Sequence, residues 1–151
     1  MVEYGSVAIR TDYLGNRELV KGGVYNYNGK NRNAVTGVAY NKDEGINKIY
    51  IENENSIIFT AALTGIGKTS SGTKYNAFGN SYTVRNYVIF RDRNTGKDTI
   101  VYGASVTGCV FDVMRLIMEG DTTSNDYKSL TTLFNDNPEQ KSAYEAWLAN
   151  Q

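Results

Sequence analysis

At 151 residues, 40% of them hydrophobic and 21% charged with no net charge, the chain has the composition of one globular domain and not of a disordered or membrane-spanning protein. It contains no histidine and one cysteine, Cys109, which excludes histidine-based catalytic triads, zinc sites built on histidine or cysteine, and an internal disulfide. We expect a cytoplasmic protein (in the host-cell cytoplasm if it is viral) without a secretory signal or a membrane segment.

The charges are unevenly distributed along the chain. Residues 1–111 carry 13 basic and 9 acidic side chains, whereas residues 112–151 carry 3 basic and 7 acidic ones. A basic first part joined to an acidic second part favours an anionic ligand, an acidic partner, or self-association of unlike patches.

Up to about residue 102 the chain consists of short β-branched and aromatic runs separated by glycine and asparagine, which predicts antiparallel strands joined in hairpins. Asn28-Gly29 favours the positive φ angles of a tight hairpin turn, although the polar residues 30–33 suggest a longer loop. The predicted strands are residues 6–10, 24–27, 34–40, 48–52, 56–63, 81–90 and 98–102.

After Gly103 the hydrophobic period becomes helical. One apolar face is predicted at Val106, Cys109, Val110, Val113, Met114 and Ile117. Shorter patterns predict a helix around residues 127–134 and another that begins at Asn137-Pro138. The predicted fold class is therefore α+β: an antiparallel sheet of six to seven strands followed by two to three helices, in a single domain 1–151 that is strand-rich over 1–103 and helical over 104–151.

The segment 65–69, Gly-Ile-Gly-Lys-Thr, is similar to a phosphate-binding loop but lacks its first glycine, because Ala62 occupies that position. The residues that follow have the composition of a loop and not of a helix. We therefore predict a glycine-rich connection, whose backbone amides and two lysines, Lys68 and Lys74, could still close over an anion.

The segment 82–93 is the strongest candidate for a binding surface. Strand alternation predicts a core face with Tyr82, Val84, Val88 and Phe90, and an exposed face with Arg85, Tyr87, Ile89, Arg91 and Arg93. Guanidinium groups beside an aromatic ring suit the stacking of a base and the pairing of a phosphate. The alternative is a solvated face whose arginines pair with carboxylates such as Glu52 or Glu54.

Other residues extend this candidate site. Tyr75 and Phe78 offer further stacking surface, and Arg115 on the polar side of its helix is placed to reach a ligand or a second subunit. The predicted ligand-binding set is thus Arg85, Tyr87, Arg91, Arg93, Lys68, Lys74, Tyr75, Phe78 and Arg115.

Signals for catalysis are weak. Glu52 and Glu54 form a close carboxylate pair, but no lysine follows them in the spacing of a nuclease, and Cys109 lies on an apolar helix face. We expect no catalytic residues, no metal and no cofactor. The less favoured alternative is an enzyme that uses carboxylates and a metal.

The order of elements, an antiparallel sheet followed by helices from Val106 onward, resembles that of small phage-encoded anti-defence proteins such as the Thoeris anti-defence family. This resemblance implies a homo-oligomer that sequesters a nucleotide signal between subunits without turnover. We therefore expect a non-catalytic protein that binds a small anionic nucleotide, with no membrane partner and no direct nucleic-acid binding. The alternative is an inhibitor of a host protein, similar to an anti-CRISPR protein, that binds through a surface rich in tyrosine and asparagine.

Overall fold

The computed structural model describes residues 1–53, 56–60 and 75–151. It confirms the α+β class, with an N-terminal antiparallel sheet followed by C-terminal helices. In chain order the elements are β1 (Glu3–Arg10), α1 (Thr11–Leu14), β2 (Val24–Tyr27), β3 (Lys30–Asn33), β4 (Val35–Asn41), β5 (Ile46–Asn47), β6 (Ile49–Asn53), β7 (Ser56–Phe59), β8 (Tyr82–Arg91), β9 (Asp98–Gly108), α2 (Val110–Met118), α3 (Asn125–Asp136) and α4 (Pro138–Leu148), with a 3₁₀ turn at Asn76–Gly79 before β8.

Five strands form the main sheet, in the order β5-β4-β1-β8-β9. The central strand, β1, pairs antiparallel with both β4 and β8. Seven of its eight residues are buried, because it has neighbours on both sides and cover on both faces. β1 runs antiparallel to both of its neighbours. The turns that follow β4 and β8 therefore lie close together, at the end of the sheet where β1 begins.

Two separate hairpins accompany this sheet, β2-β3 and β6-β7. Asn28 and Gly29 have φ angles of 49° and 74°, so the first hairpin has the tight turn that the dipeptide predicts. The longer loop suggested for residues 30–33 is wrong, since these polar residues form β3 opposite β2. Cross-strand pairing outweighs the low strand propensity of lysine and asparagine at this exposed position.

By contact density the chain divides into two compact units, Met1–Thr64 with Tyr82–Thr107 and Gly65–Ser81 with Gly108–Gln151. The first unit contains the sheet and a core of Val7, Ile9, Leu14, Leu19, Tyr25 and Tyr87. Among the described residues, no helix is long and apolar enough to cross a membrane.

The second unit packs three helices around the aromatic ring of Phe111, which is 1% exposed. Helix α2 begins later than predicted, because Val106 still belongs to β9 and is 71% exposed. Cys109 is the N-cap: its sulfur accepts from the Asp112 backbone N–H, and the Asp112 carboxylate accepts from the Cys109 N–H. This reciprocal capping starts the helix at Val110. The buried residues of α2 are Phe111 and Met114, whereas Val113 is 57% exposed and does not belong to the core face that was predicted for it.

Candidate functional site

The face of β8 that carries Arg85 and Tyr87 is covered, which corrects the expectation that it is open to ligand. Tyr87 is 1% exposed and belongs to the core of the first unit. Its hydroxyl donates to the Glu3 carboxylate at 2.6 Å, and Lys21 Nζ lies 2.6 Å from the same oxygen. Burial and this hydrogen bond raise the pKa of Tyr87 well above its ordinary value. The ring therefore has no free face on which to stack a base.

Arg85 lies on the same covered face, and its contacts connect separate parts of the fold. Its Nε donates to the Gly103 carbonyl at 2.7 Å, its Nη1 pairs with Glu18, and its guanidinium lies 4.6 Å from the centre of the Tyr102 ring. Nη1 also donates to the backbone carbonyl of Leu19. These contacts fasten the connection between α1 and β2 onto the sheet, and they leave little of the guanidinium for a ligand.

Three further predicted residues belong to the second unit. Tyr75 and Phe78 have ring centres 5.6 Å apart, and Phe78 packs against the core ring of Phe111. Arg115 lies 3.7 Å from Asp112 and over the ring of Trp147. Lys68 and Lys74, together with the glycine-rich segment 65–69, lie outside the described residues, as does Glu54 of the carboxylate pair.

Arg91 and Arg93 line a cavity of about 300 Å³ in the first unit. It lies at the end of the sheet where β1 begins, between the turn after β4 and the turn that joins β8 to β9. Its other lining residues are Met1, Val2, Lys42, Asp43, Asp92 and Gly96. Two of the predicted arginines are thus brought together with a lysine that the sequence did not single out.

The acidic side chains of this cavity wall already have hydrogen-bond partners within the protein. Arg91 binds Asp98 through Nε and Nη2, at 2.8 and 3.1 Å, and Asp43 through Nη1 at 2.9 Å. Hydrogen bonds to Asp98 and then to Asp43 raise the pKa of Arg91, and the same contact lowers the pKa of Asp98. Asp92 accepts from the backbone N–H groups of Thr95 and Asn94, which lowers its pKa.

Two cations of the cavity wall remain available. Among the described residues neither Lys42 nor Arg93 forms an ion pair, and both side chains are exposed. The lining side chains comprise three cations and two carboxylates, and Asp98 offsets the charge of Arg91, so an anion would be held by direct contact with Lys42 and Arg93 and not by a strong net field. Such a wall, with two free cations and fixed carboxylates, can hold a phosphate or a carboxylate group.

The contribution of Lys42 was missed because it depends on strand order. The residues after β4 and after β8 are about fifty positions apart, and they meet only because both strands pair with β1. Sequence alternation identifies strands but not which distant strands are neighbours. In the described part of the chain no group of three or more His, Cys, Asp or Glu side chains is arranged to hold a metal ion.

No protein-family model matches the chain, and neither the curated proteins nor the solved structures contain a significant match. The functional argument therefore rests on the geometry of the cavity.

Proposed function

We propose that this chain is a non-catalytic binding protein that holds a small phosphate-bearing anion, such as a nucleotide, in the cavity beside Arg93. The observation that carries the proposal is a pair of cations, Lys42 and Arg93, that form no ion pair with any described residue and lie on the wall of a 300 Å³ cavity whose acidic groups have internal partners. This volume is at the small end of the range for ligand sites. A cavity of this volume can hold a phosphate group together with part of the ligand that carries it.

Recognition in this proposal is electrostatic and directed at the phosphate. The described lining residues include no aromatic ring, and Tyr87 is buried, so the stacking expected from the sequence does not come from these residues. Arg91 is a positioning residue, because its three hydrogen bonds to Asp98 and Asp43 fix the wall. The biological role that we propose, sequestration of a nucleotide signal without turnover, is supported only by the order of elements.

Isothermal titration calorimetry at low salt tests the site with pyrophosphate, AMP and ADP-ribose as probes. We expect Arg93→Gln and Lys42→Gln each to weaken binding about tenfold, since each removes one charged contact worth about 1.4 kcal/mol. Lys97→Gln is the matched control, because Lys97 is an exposed cation in the same turn that does not line the cavity.

The result that contradicts the site is equal weakening by Lys97→Gln, which would show a general effect of charge. Absence of binding by all three probes would overturn the proposal and favour the alternative, an inhibitor of a host protein. Addition of salt is expected to weaken binding, because partly exposed charges are screened.

A further inference from the structure

The longest of the described strands, β9, is an edge strand of the main sheet. It has 11 residues, and no strand of the described part of the chain pairs with its outer side. Its outward-facing backbone N–H and C=O groups therefore form a row that another strand can meet.

This edge lacks the devices that usually prevent pairing between chains. Natural edge strands are short, or carry lysine, proline or inward-pointing charges. Residues 99–108 contain no charged residue and no proline. Tyr102 contacts Arg85 on the covered face of the sheet, whereas Val101 and Val106 of the same strand are 52% and 71% exposed.

We propose that β9 pairs antiparallel with β9 of a second copy of this chain, about a two-fold axis near Gly103. The only charge on the strand is Asp98, at one end and bound to Arg91. Antiparallel pairing places the two Asp98 residues at opposite ends of the interface, about 30 Å apart at the usual rise per residue. A parallel arrangement would instead bring these carboxylates together.

The lack of charge along the β9 edge favours a second copy of this chain as the partner that pairs with it. An uncharged edge is best matched by another uncharged edge, because a charged side chain would lose water there without gaining an ion pair. The same contact on both copies closes the assembly as a dimer. It would join two sheets of β5-β4-β1-β8-β9 into one continuous sheet, and it does not depend on the anion site.

Sedimentation velocity from about 1 to 100 μM, the range in which moderate interfaces dissociate, tests the pairing. We expect the unsubstituted chain to form a dimer, and Val101→Lys or Val106→Lys to raise its dissociation constant at least tenfold. Val35→Lys is the matched control, since Val35 is a 55% exposed valine on β4 of the same sheet. It should dimerise like the unsubstituted chain.

A disulfide provides an independent measurement of the same contact. A Cβ built at Gly103 meets nothing closer than Asn86, at 3.9 Å, so Gly103→Cys should fold. Residues that face each other across a two-fold axis lie within the Cα separation that a disulfide needs. We expect mild oxidation to link Gly103→Cys into a covalent dimer and to form no covalent link in Val35→Cys under the same conditions. A monomer at every concentration, or a dimer that β9 charges do not weaken and Gly103→Cys does not link, would overturn the proposal.

Discussion

The hydroxyl of Tyr87 lies beneath the covered face of the sheet, beside Glu3, Lys21 and Asn41. The Glu3 carboxylate accepts from Tyr87 and from the Asn41 amide at 3.0 Å, and it pairs with Lys21. These contacts satisfy a carboxylate that is largely withdrawn from water. The cluster is therefore a structural one, which joins β1, β4, β8 and the connection before β2.

Tyr87→Phe removes one hydrogen bond from this cluster and leaves the ring in place. We expect the free energy of unfolding to fall by about 1–2 kcal/mol, the usual range for a hydrogen bond to a charged group, with no change in anion binding. Urea denaturation measures the first and calorimetry the second. Tyr40→Phe is the control, because its hydroxyl makes no hydrogen bond among the described residues while its ring stacks on Tyr4. A large loss of anion affinity in Tyr87→Phe would contradict this account.

Glu3 predicts a dependence of stability on pH. Burial raises its pKa, but the hydrogen bonds from Lys21 and Tyr87 more than offset this, so the pKa lies below the ordinary 4.5. A carboxylate with a lowered pKa in the folded state contributes stability above the ordinary value and loses it as the pH falls through the lowered one. Glu3→Gln should therefore cost about 2 kcal/mol at pH 7, and less as the pH falls below 4.5.

Urea titrations of both proteins at several pH values measure this difference. Asp12→Asn, which breaks an exposed ion pair with Arg10, provides the control and should cost less than 1 kcal/mol at pH 7. A constant difference between Glu3→Gln and the unsubstituted chain at all pH values would show that the pKa of Glu3 is the same in the folded and the unfolded chain, which would contradict the lowered pKa.

At the scale of elements, β1 and β4 approach closely at Gly5. A Cβ on this residue would lie 2.2 Å from the Gly37 carbonyl oxygen and 3.1 Å from the Tyr87 hydroxyl. The first atom belongs to the backbone of the neighbouring strand, which can move only if the ladder moves. The register changes between Tyr4 and Gly5, so the glycine lies at an irregularity of the pairing.

Gly5→Ala should destabilise the protein by about 3 kcal/mol, since one methyl group forces two paired backbones apart. Gly103→Ala is the control in the same sheet: its Cβ has no neighbour closer than 3.9 Å, and alanine is the better strand residue. Thermal unfolding followed by circular dichroism compares the two. Equal melting temperatures for both variants would contradict the close approach of β1 and β4.

The sequence predicted strands, turns and helices well where residues close together in the chain determine them. Asn28-Gly29 gave the first hairpin turn, and the apolar spacing after Gly103 gave the helices. The boundary at residues 104–108 was wrong because Val106 fits a strand and a helix pattern equally well, and the Cys109 cap decides between them. Which face of β8 is buried was also wrong, because the cover comes from α1 and the connection after it, whose position no periodicity encodes.

The residues of the candidate site were likewise predicted only in part. Arg91 and Arg93 were found because they follow a recognisable strand, whereas Lys42 joins them only through the pairing of β1 with β4 and β8. Half-buried Arg85 and buried Tyr87 were mistaken for a binding surface, because a sequence shows that a guanidinium is present but not that it is already paired with Glu18.

At the scale of the whole molecule, the two compact units are interleaved along the chain. Each consists of two segments, so neither is one continuous piece of the chain. We therefore expect the predicted single domain to unfold in one transition, because ordering one unit restricts the ends of the other. Trp147, the only tryptophan of the chain, lies in the second unit and reports on it by fluorescence.

Urea unfolding followed by Trp147 fluorescence and by far-ultraviolet circular dichroism should give the same midpoint. Gly5→Ala, a change in the first unit, should lower the fluorescence midpoint as much as the dichroism midpoint. A fluorescence midpoint that does not move in this variant would show that the two units unfold independently.

Native mass spectrometry of the protein incubated with nucleotides, including cyclic and ADP-ribose-derived species, tests the central claim most directly. It reports the number of subunits and the mass of any bound ligand in the same spectrum. The account predicts an unaltered phosphate-bearing ligand that heat releases, and its loss in Arg93→Gln but not in Lys97→Gln. A protein that remains empty with every nucleotide, or that releases a chemically changed product, would contradict non-catalytic binding of an anion at this cavity.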